Sequence, residues 1–273
     1  MTMPFHPTRG LKRAMKDGEL KLGVFVGSAS AQVAEAAALA GVDYLIADLE
    51  HGERVDTISA AEIIRAAEIA KTPVIVRVPG NNVDDIAAVL DHGAIGICVP
   101  HVRTREDAER AVSYARYAPV GVRAMSPYVR AAEYSGAGWD EYWTTANEEI
   151  IVMVIVEDRI AMSNLEEIAS VPGLDVIWIG VGDLSQDLGI PLQVSDPQVV
   201  DSVQRGLDAA RKNDVISFTT ATASVAVSRE ARVAQLRTLK EQGFAMLAWV
   251  DTPLLSGALG ELWAGAAEAA DRA

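Results

Sequence analysis

Three observations predict an α/β protein built as one (β/α)8 TIM barrel, with residues 1–273 read as a single domain. Eight short apolar runs, each rich in Val, Ile or Leu, recur along the 273-residue chain. They are near-continuous rather than alternating, which is the pattern of strands covered on both faces, as in a parallel sheet. Segments with helical spacing separate most of them, and eight such units in about 250 residues fit a closed barrel. The competing architecture, an open doubly wound sheet that binds a dinucleotide, calls for G-x-G-x-x-G after its first strand. Here the first run continues GVFVGSAS and lacks it.

In chain order the predicted strands are KLGVFVG, VDYLIADL, PVIVRV, AIGICVP, IIVMVIVE, LDVIWIGV, DVISFTT and FAMLAWV. Between them, SAQVAEAAALAG carries apolar residues at helical spacing and stops at Gly41. DTISAAEIIRAAEIA starts with Asp56 as a candidate N-cap, NNVDDIAAVLDHG ends on Gly93, and TREDAERAVSYAR opens with Thr104 and acids. MSNLEEIASV, DPQVVDSVQRGLDAARKN and SREARVAQLRTLKEQG follow the same grammar, and TPLLSGALGELWAGAAEAADR is the last helix. The stretch from Tyr117 to Asn147, with Pro119, Pro127, Gly136, Gly138 and two tryptophans, is the irregular one. It is expected to form a long βα loop over the barrel mouth and to help build the pocket there.

Composition narrows the function. The net charge is −14, from 38 acidic against 24 basic residues, so a phosphate backbone is repelled on average and nucleic acid is excluded as a partner. No run approaches the length of a membrane helix, and the N-terminal stretch has no apolar segment resembling a signal peptide, so the expectation is a cytoplasmic protein without membrane contact. The single cysteine, Cys98, lies inside AIGICVP and is read as a buried thiol.

In a barrel the loops after the strand C-termini build the site. The second strand ends in Asp48, Glu50 and His51, the third carries Arg77, the fourth ends Pro100-His101, the fifth ends in Glu157, and the sixth runs into Gly182-Asp183. Taken singly, each has a structural reading: Glu157 as an N-cap acid, Asp183 as a cap of the short DLSQDLG turn, Arg77 as an ion-pair partner. A barrel gathers these ends on one face, and a buried lone carboxylate is costly without a partner. Two carboxylates with no thiolate or His cluster suit a hard cation such as Mg²⁺ or Mn²⁺, and Glu157 and Asp183 match that number. No H-E-x-x-H or C-x-x-C pattern points to zinc. His51 is the natural base near neutral pH, Asp48 is placed to orient its ring, and Arg77 is suited to hold a carboxylate or oxyanion. His101 is read as lining the pocket, and His92 and His6 as solvated surface residues.

DYLIADLEHG, PVIVRV, VPHVRTREDAERAV, YAPVGVRA, VEDRIAMSNLEEIASVPGLDVIWIGVGDLSQDLG and VDTPLLSGAL together resemble the HpcH/HpaI aldolase family, typified by 4-hydroxy-2-oxo-heptane-1,7-dioate aldolase. The likeness runs from about residue 10 to the C-terminus, with its motifs in order. It implies a class II, metal-dependent pyruvate aldolase on a (β/α)8 barrel. Carried over residue by residue, it implies Glu157 and Asp183 as metal ligands, His51 as the base with Asp48 as its carboxylate partner, and Arg77 on the substrate oxygen. Backbone N–H groups of Gly182 and Asp183 would bind the pyruvate carboxylate. It further implies a divalent cofactor (Mg²⁺, Mn²⁺ or Co²⁺) and a homo-oligomer, a hexamer in which C-terminal helices are exchanged. Three positions depart from the pattern: Ile155 stands where the family often has Gln, Val181 where Pro is common, and Ala124 where Gly closes G-x-R-G.

The reaction expected from this resemblance is reversible cleavage of a 4-hydroxy-2-oxoacid to pyruvate, or a related 2-oxoacid, and an aldehyde through a metal-stabilised enolate. No strand end offers a Schiff-base lysine. Two alternatives stay open on the sequence: another enolate-forming carbon–carbon lyase, such as an oxaloacetate decarboxylase or acyl-CoA lyase, and an oxoacid-binding barrel without turnover.

Overall fold

The computed structural model describes residues 10–52, 56–221 and 227–269; His6 lies outside them. Eight strands, β1 (Lys21–Val26), β2 (Tyr44–Asp48), β3 (Val74–Arg77), β4 (Gly96–Val99), β5 (Ile151–Val156), β6 (Val176–Ile179), β7 (Ile216–Thr220) and β8 (Met246–Val250), close into a barrel in sequence order. Every neighbouring pair is parallel. Each of the eight apolar runs of the sequence supplies one of these strands.

The apolar runs are continuous because both strand faces are covered. One set of side chains, including Phe25, Tyr44, Ile46, Ile75, Met153 and Phe218, fills the barrel interior. The other set, with Leu45, Val76, Ile97 and Val154, packs outward against helix residues such as Ile63, Ile64, Ile86 and Val89. Each such side chain contributes about 1.5–3 kcal/mol when fully buried. Tyr44 fits inside because Gly23 on β1 faces it: a Cβ at Gly23 would lie 2.4 Å from the ring. Its hydroxyl donates to the Leu247 carbonyl at 2.5 Å. Cys98 belongs to the same interior and is fully buried, and burial pushes its thiol far above the ordinary value.

The predicted helices form with the expected caps. In α2 (Ala31–Leu39), α3 (Thr57–Glu68) and α4 (Val83–Asp91) the N-cap side chains are Ser30, Asp56 and Asn82. In α5 (Arg105–Ala115), Thr104 and Asp107 close a capping box. Gly93 ends α4 at φ 101, a conformation that only glycine adopts freely. His92 at this C-cap is half-buried rather than fully solvated as expected.

Four features differ from the sequence expectation. A short helix, α1 (Leu11–Lys16), precedes β1, and its Leu11 and Met15 join the interior cluster, so it plugs the N-terminal end of the barrel. The Tyr117–Asn147 region is not a loop at the mouth. It follows α5 and precedes β5, so it is an αβ connection at the opposite, N-terminal end, with one 3₁₀ turn (Arg130–Ala132) and a helix, α6 (Trp139–Glu149). There Arg123 pairs with Asp91 at 2.7 Å and Arg130 with Glu68, both acids lying at helix C-termini. The segment after β5 splits into α7 (Arg159–Ser163) and α8 (Leu165–Ala169), and Asp158, not Glu157, is the N-cap of α7. The DLSQDLG stretch belongs to a short helix, α9 (Val181–Asp187), rather than to a turn. The remaining helices are α10 (Pro197–Lys212), α11 (Arg229–Gln242) and α12 (Asp251–Ala269).

At the N-terminal end a buried acid is held by several partners. Asp175, just before β6, receives Lys12 Nζ at 2.5 Å, Arg116 Nη2 at 3.0 Å and the Val152 N–H at 2.9 Å. This ties α1, α5, β5 and β6 together in a buried cluster.

Candidate active site

At the C-terminal end the strand register sets the geometry. Asp48 closes β2 and Arg77 closes β3, and the two are direct partners across the ladder. Their side chains meet in a two-pronged pair, Nε to Oδ1 at 2.8 Å and Nη2 to Oδ2 at 2.6 Å. Both are buried. The guanidinium also lies over Phe25 and Trp178, 5.3 and 5.8 Å from the ring centres, a favourable place for a planar cation. Asp48 further accepts the backbone N–H groups of Glu50 and His51. Burial alone raises its carboxyl, but the Arg77 bonds and charge and the two backbone donors outweigh this and leave it below the ordinary 3.8. The Asp48 carboxylate therefore fixes Arg77 and the turn that carries His51, which it meets at the backbone N–H.

The carboxylate next to the His51 ring is that of Glu50, with His51 Nε2 3.8 Å from Glu50 Oε2. Glu50 reaches inward: its side chain is 8% exposed, against 62% for His51. Arg77 Nη1 lies 2.9 Å from Glu50 Oε2 and His101 Nε2 lies 3.2 Å from Glu50 Oε1. Neither contact has hydrogen-bond alignment, so both buried Glu50 oxygens remain without a true donor. An unsatisfied buried carboxylate is expensive and marks a place where a further cation or donor belongs.

Glu157 follows β5 and is buried. Its Oε1 accepts the His101 backbone N–H at 2.7 Å and sits 2.8 Å from His101 Nδ1. Burial pushes its carboxyl above the ordinary 4.5, the Glu50 and Asp183 charges add to that, and the His101 contacts pull it back in part. Gly180 gives it room: a Cβ there would stand 2.7 Å from Glu157 Cβ and 3.0 Å from Oε2. Gly182 and Asp183 lie in the first turn of α9 and are exposed. Leu184 is the first residue whose N–H turns back to Gly180, so the amides before it precede the helical ladder. Ile155, two residues before Glu157, is fully buried in the barrel interior and offers a substrate no polar group.

A cavity of about 380 Å³ opens beside these groups, lined by Phe25, Gly27, Asp48, His51, Arg77, Trp178, Thr220, Val250 and Thr252. Asp251, at the start of α12, bonds the Ser28 hydroxyl at 2.6 Å and the N–H of Gly27 at 3.2 Å, holding the β1 loop at the rim. The structure thus brings together Asp48, His51, Arg77 and Glu157, with Asp183 near enough to act on Glu157 through its charge. Glu50 and His101, noted in the sequence at strand ends and with His101 read as lining the pocket, were given no metal or catalytic role there. Their signal was present, since both follow strand ends, but only coordinates reveal that Glu50 turns inward and that both His101 ring nitrogens face carboxylates.

The donor set fits a divalent cation. Asp48 and Glu50 share Arg77, while Glu157 feels the charges of Glu50 and Asp183 with His101 beside it. Among the described residues, ligand atoms of Glu50, His101 and Glu157 converge within 4.8 Å of one another. No helix of the described residues is long and apolar enough to cross a membrane.

Comparison with known proteins decides the family. Residues 21–249 match the model of HpcH/HpaI aldolase/citrate lyase. The chain belongs to the HpcH/HpaI aldolase/citrate lyase family. It is 36% identical over 208 residues to a hydroxypyruvate/pyruvate aldolase of Sagittula stellata, covering 76% of this chain and 80% of that one. A 2-keto-3-deoxy-L-rhamnonate aldolase of Klebsiella pneumoniae is 36% identical over 201 residues, covering 73% and 74%. Among solved structures, a family protein of Burkholderia cenocepacia superposes with a TM-score of 0.85 at 30% identity, over 95% of this chain and 99% of that one. The citrate synthase SbnG superposes with a TM-score of 0.82 at 32% identity, over 96% and 98%. The chain is accordingly an enzyme of the carbon–carbon lyase class.

Proposed function

We propose that the enzyme catalyses reversible, divalent-metal-dependent aldol cleavage of a 4-hydroxy-2-oxoacid to pyruvate, or a related 2-oxoacid, and an aldehyde. The observation that carries this reading is the buried acid cluster at the mouth, where the donorless Glu50 lies between His101, which it shares with Glu157, and Arg77, which lines the cavity with His51. The names of the aldolase relatives point the same way.

Glu157 and Asp183 are the residues that hold the metal in this reading. A bound divalent cation supplies Lewis-acid stabilisation of the charge that develops on the 2-oxo oxygen. Arg77 supplies a second positive group. It is held rigid by Asp48 at the cavity wall, where the guanidinium can meet an oxyanion or carboxylate. His51, exposed at the cavity edge, removes the proton of the 4-hydroxyl during cleavage and returns it during addition. Asp48 is a positioning residue, acting through Arg77 and through the backbone of the His51 turn. The first-turn amides of α9, at Gly182 and Asp183, receive the substrate carboxylate. Replacing Glu157 by Gln removes metal-dependent turnover of hydroxy-oxoacids; a Glu157→Gln enzyme with full activity refutes the assignment.

A second reading, enolate chemistry on oxaloacetate or a citrate-like acid, is favoured by the likeness to the citrate synthase SbnG. Turnover of oxaloacetate exceeding that of any hydroxy-oxoacid selects it.

The active form is a homo-oligomer, a hexamer with exchanged C-terminal helices. Support comes from α12, which leaves Leu255, Leu259, Leu262 and Trp263 exposed. Beside its base runs a groove of about 600 Å³ lined by Val33, Ala37, Val42, Trp249 and Leu254. Apolar surface of this kind marks an interaction site. Sedimentation that gives only monomer at micromolar concentration contradicts it.

A further inference from the structure

We propose that His101 is a nitrogen ligand of the cation held at Glu157, and that Glu50 is the carboxylate that orients the far nitrogen of its ring. The inference rests on the metal-dependent reading above and adds to it a ligand and a metal preference.

Three observations carry it. His101 adopts φ 57, the left-handed region that residues other than glycine enter only where their surroundings hold them. Glu157 supplies part of that hold by accepting the His101 N–H. The imidazole rests against that carboxylate with its outer face open, the side chain being 58% exposed. Next, Nδ1 lies 2.8 Å from Glu157 Oε1. Two ligands in adjacent positions of an octahedral site, each about 2.1 Å from the ion, are about 3 Å apart, so these atoms already stand at one edge of such a site. Finally, Nε2 lies 3.2 Å from Glu50 Oε1. A metal-bound imidazole commonly gives its other N–H to a carboxylate, which fixes the tautomer and raises the ligand's basicity.

The same contacts divide the roles of the two glutamates. Glu50 Oε2 is 2.9 Å from Arg77 Nη1, and a dication placed directly on Glu50 would lie against that guanidinium. Glu157 has no such cationic neighbour and faces Asp183 instead. His101 therefore joins Glu157 and Asp183 on the ion, and Glu50 acts through the ring. This placement also gives one orphaned Glu50 oxygen a role: Oε1 faces the ring nitrogen that must donate once the other one ligates.

A neutral nitrogen ligand alters the choice of metal. Imidazole favours the later first-row ions over Mg²⁺, which prefers oxygen. The site should hold Co²⁺ more tightly than Mg²⁺ by a margin that depends on His101.

The test uses the full chain stripped of metal. Mn²⁺ is added for pulsed electron paramagnetic resonance, and Co²⁺ and Mg²⁺ for calorimetric affinities, with no substrate present. The expected result is an imidazole nitrogen coupling to bound Mn²⁺ in the wild-type protein that disappears in His101→Ala. Co²⁺ affinity of that variant should fall about 10–100-fold, and Mg²⁺ affinity by less than about threefold. Glu50→Gln should keep the coupling and weaken Co²⁺ by about tenfold. Mn²⁺ that binds and is lost in Glu157→Gln, but shows no nitrogen coupling, overturns the ligand role of His101 and leaves the aldolase reading intact. A coupling that persists in His101→Ala overturns it as well, as does equal weakening of Co²⁺ and Mg²⁺. Failure of the wild-type protein to bind any of the three ions overturns both readings. The wild-type measurement does not depend on any variant folding.

Discussion

At the N-terminal end of the barrel the buried Asp175 carboxylate meets Lys12, Arg116 and the Val152 N–H, whereas at the C-terminal end the buried Glu50 carboxylate has no aligned donor at either oxygen. Both ends carry acids out of water on the same eight strands. One end gives its acid two cations and a backbone donor from the chain itself. The other sets Asp48 and Glu50 on Arg77, places Glu157 and Asp183 close by without that cation, and suits a cation from solution. A matched buried pair locks elements together, while an unmatched one stores a cost that a ligand relieves. The contrast separates the part of this molecule built for stability from the part built for chemistry.

The largest effect should come from breaking the matched end. Asp175→Ala leaves Arg116 buried without its acid, and breaking such a cluster costs about 3–5 kcal/mol. Urea unfolding should register that loss, while turnover per folded enzyme stays at the wild-type level because the mouth is untouched. Turnover falling in step with Asp175→Ala in the folded fraction would join the two ends and spoil the comparison.

Adding metal should have the next largest effect, and only at the mouth. Saturation with Mn²⁺ at 100 times its dissociation constant raises stability by about 2.7 kcal/mol through binding to the native state alone. Calorimetric melting should show this for the wild type and not for Glu157→Gln. Gly180→Ala follows, since its methyl group would meet Glu157 Cβ at 2.7 Å. Overpacking of this kind costs about 1–3 kcal/mol, and the displaced Glu157 should weaken Mn²⁺ binding as measured by titration calorimetry.

The smallest effect concerns pH in the absence of metal. Glu157 has a folded-state value above the ordinary 4.5, so the native state binds more protons there than the unfolded chain. Stability should therefore fall as pH rises from about 4.5 through the raised value, then level off. Asp48 has the opposite sign: its value lies below 3.8, so its contribution is present above that pH and is lost as pH falls. Glu157→Gln should flatten the first decline and leave the second in place. A variant that follows the wild-type curve across both ranges shows that Glu157 does not carry a raised value in the metal-free protein.

Much of this contrast was legible in the sequence because it depends on local rules. Near-continuous apolar runs such as VMVIV gave the strands, since strands covered on both faces admit no alternation. Asp56 and Thr104 marked helix starts because their short side chains cap free N–H groups. Asp48, Arg77 and Glu157 stood out as charges ending buried strands. The rest depended on facts that spacing does not carry. The Tyr117–Asn147 region was expected over the mouth, but a connection that follows a helix must return to the strand N-termini, and its arginines pair with Asp91 and Glu68 there. Asp48 was expected to orient the His51 ring. The ladder register instead sets it opposite Arg77, and the inward-turned Glu50 is the acid beside the imidazole. His101 gave a rim position in the sequence and no more, because its positive φ is a tertiary effect. The helix α1 was missed because six residues show too little periodicity to be read.

The measurement that tests the central claim most directly needs no knowledge of the aldehyde. Chelator-stripped enzyme is given Mg²⁺, Mn²⁺ or Co²⁺ and pyruvate in D₂O, and the methyl protons are followed by NMR. The account predicts metal-dependent loss of the methyl signal in the wild type and none in Glu157→Gln. A signal that persists with all three metals, or that disappears equally in the variant, would contradict it.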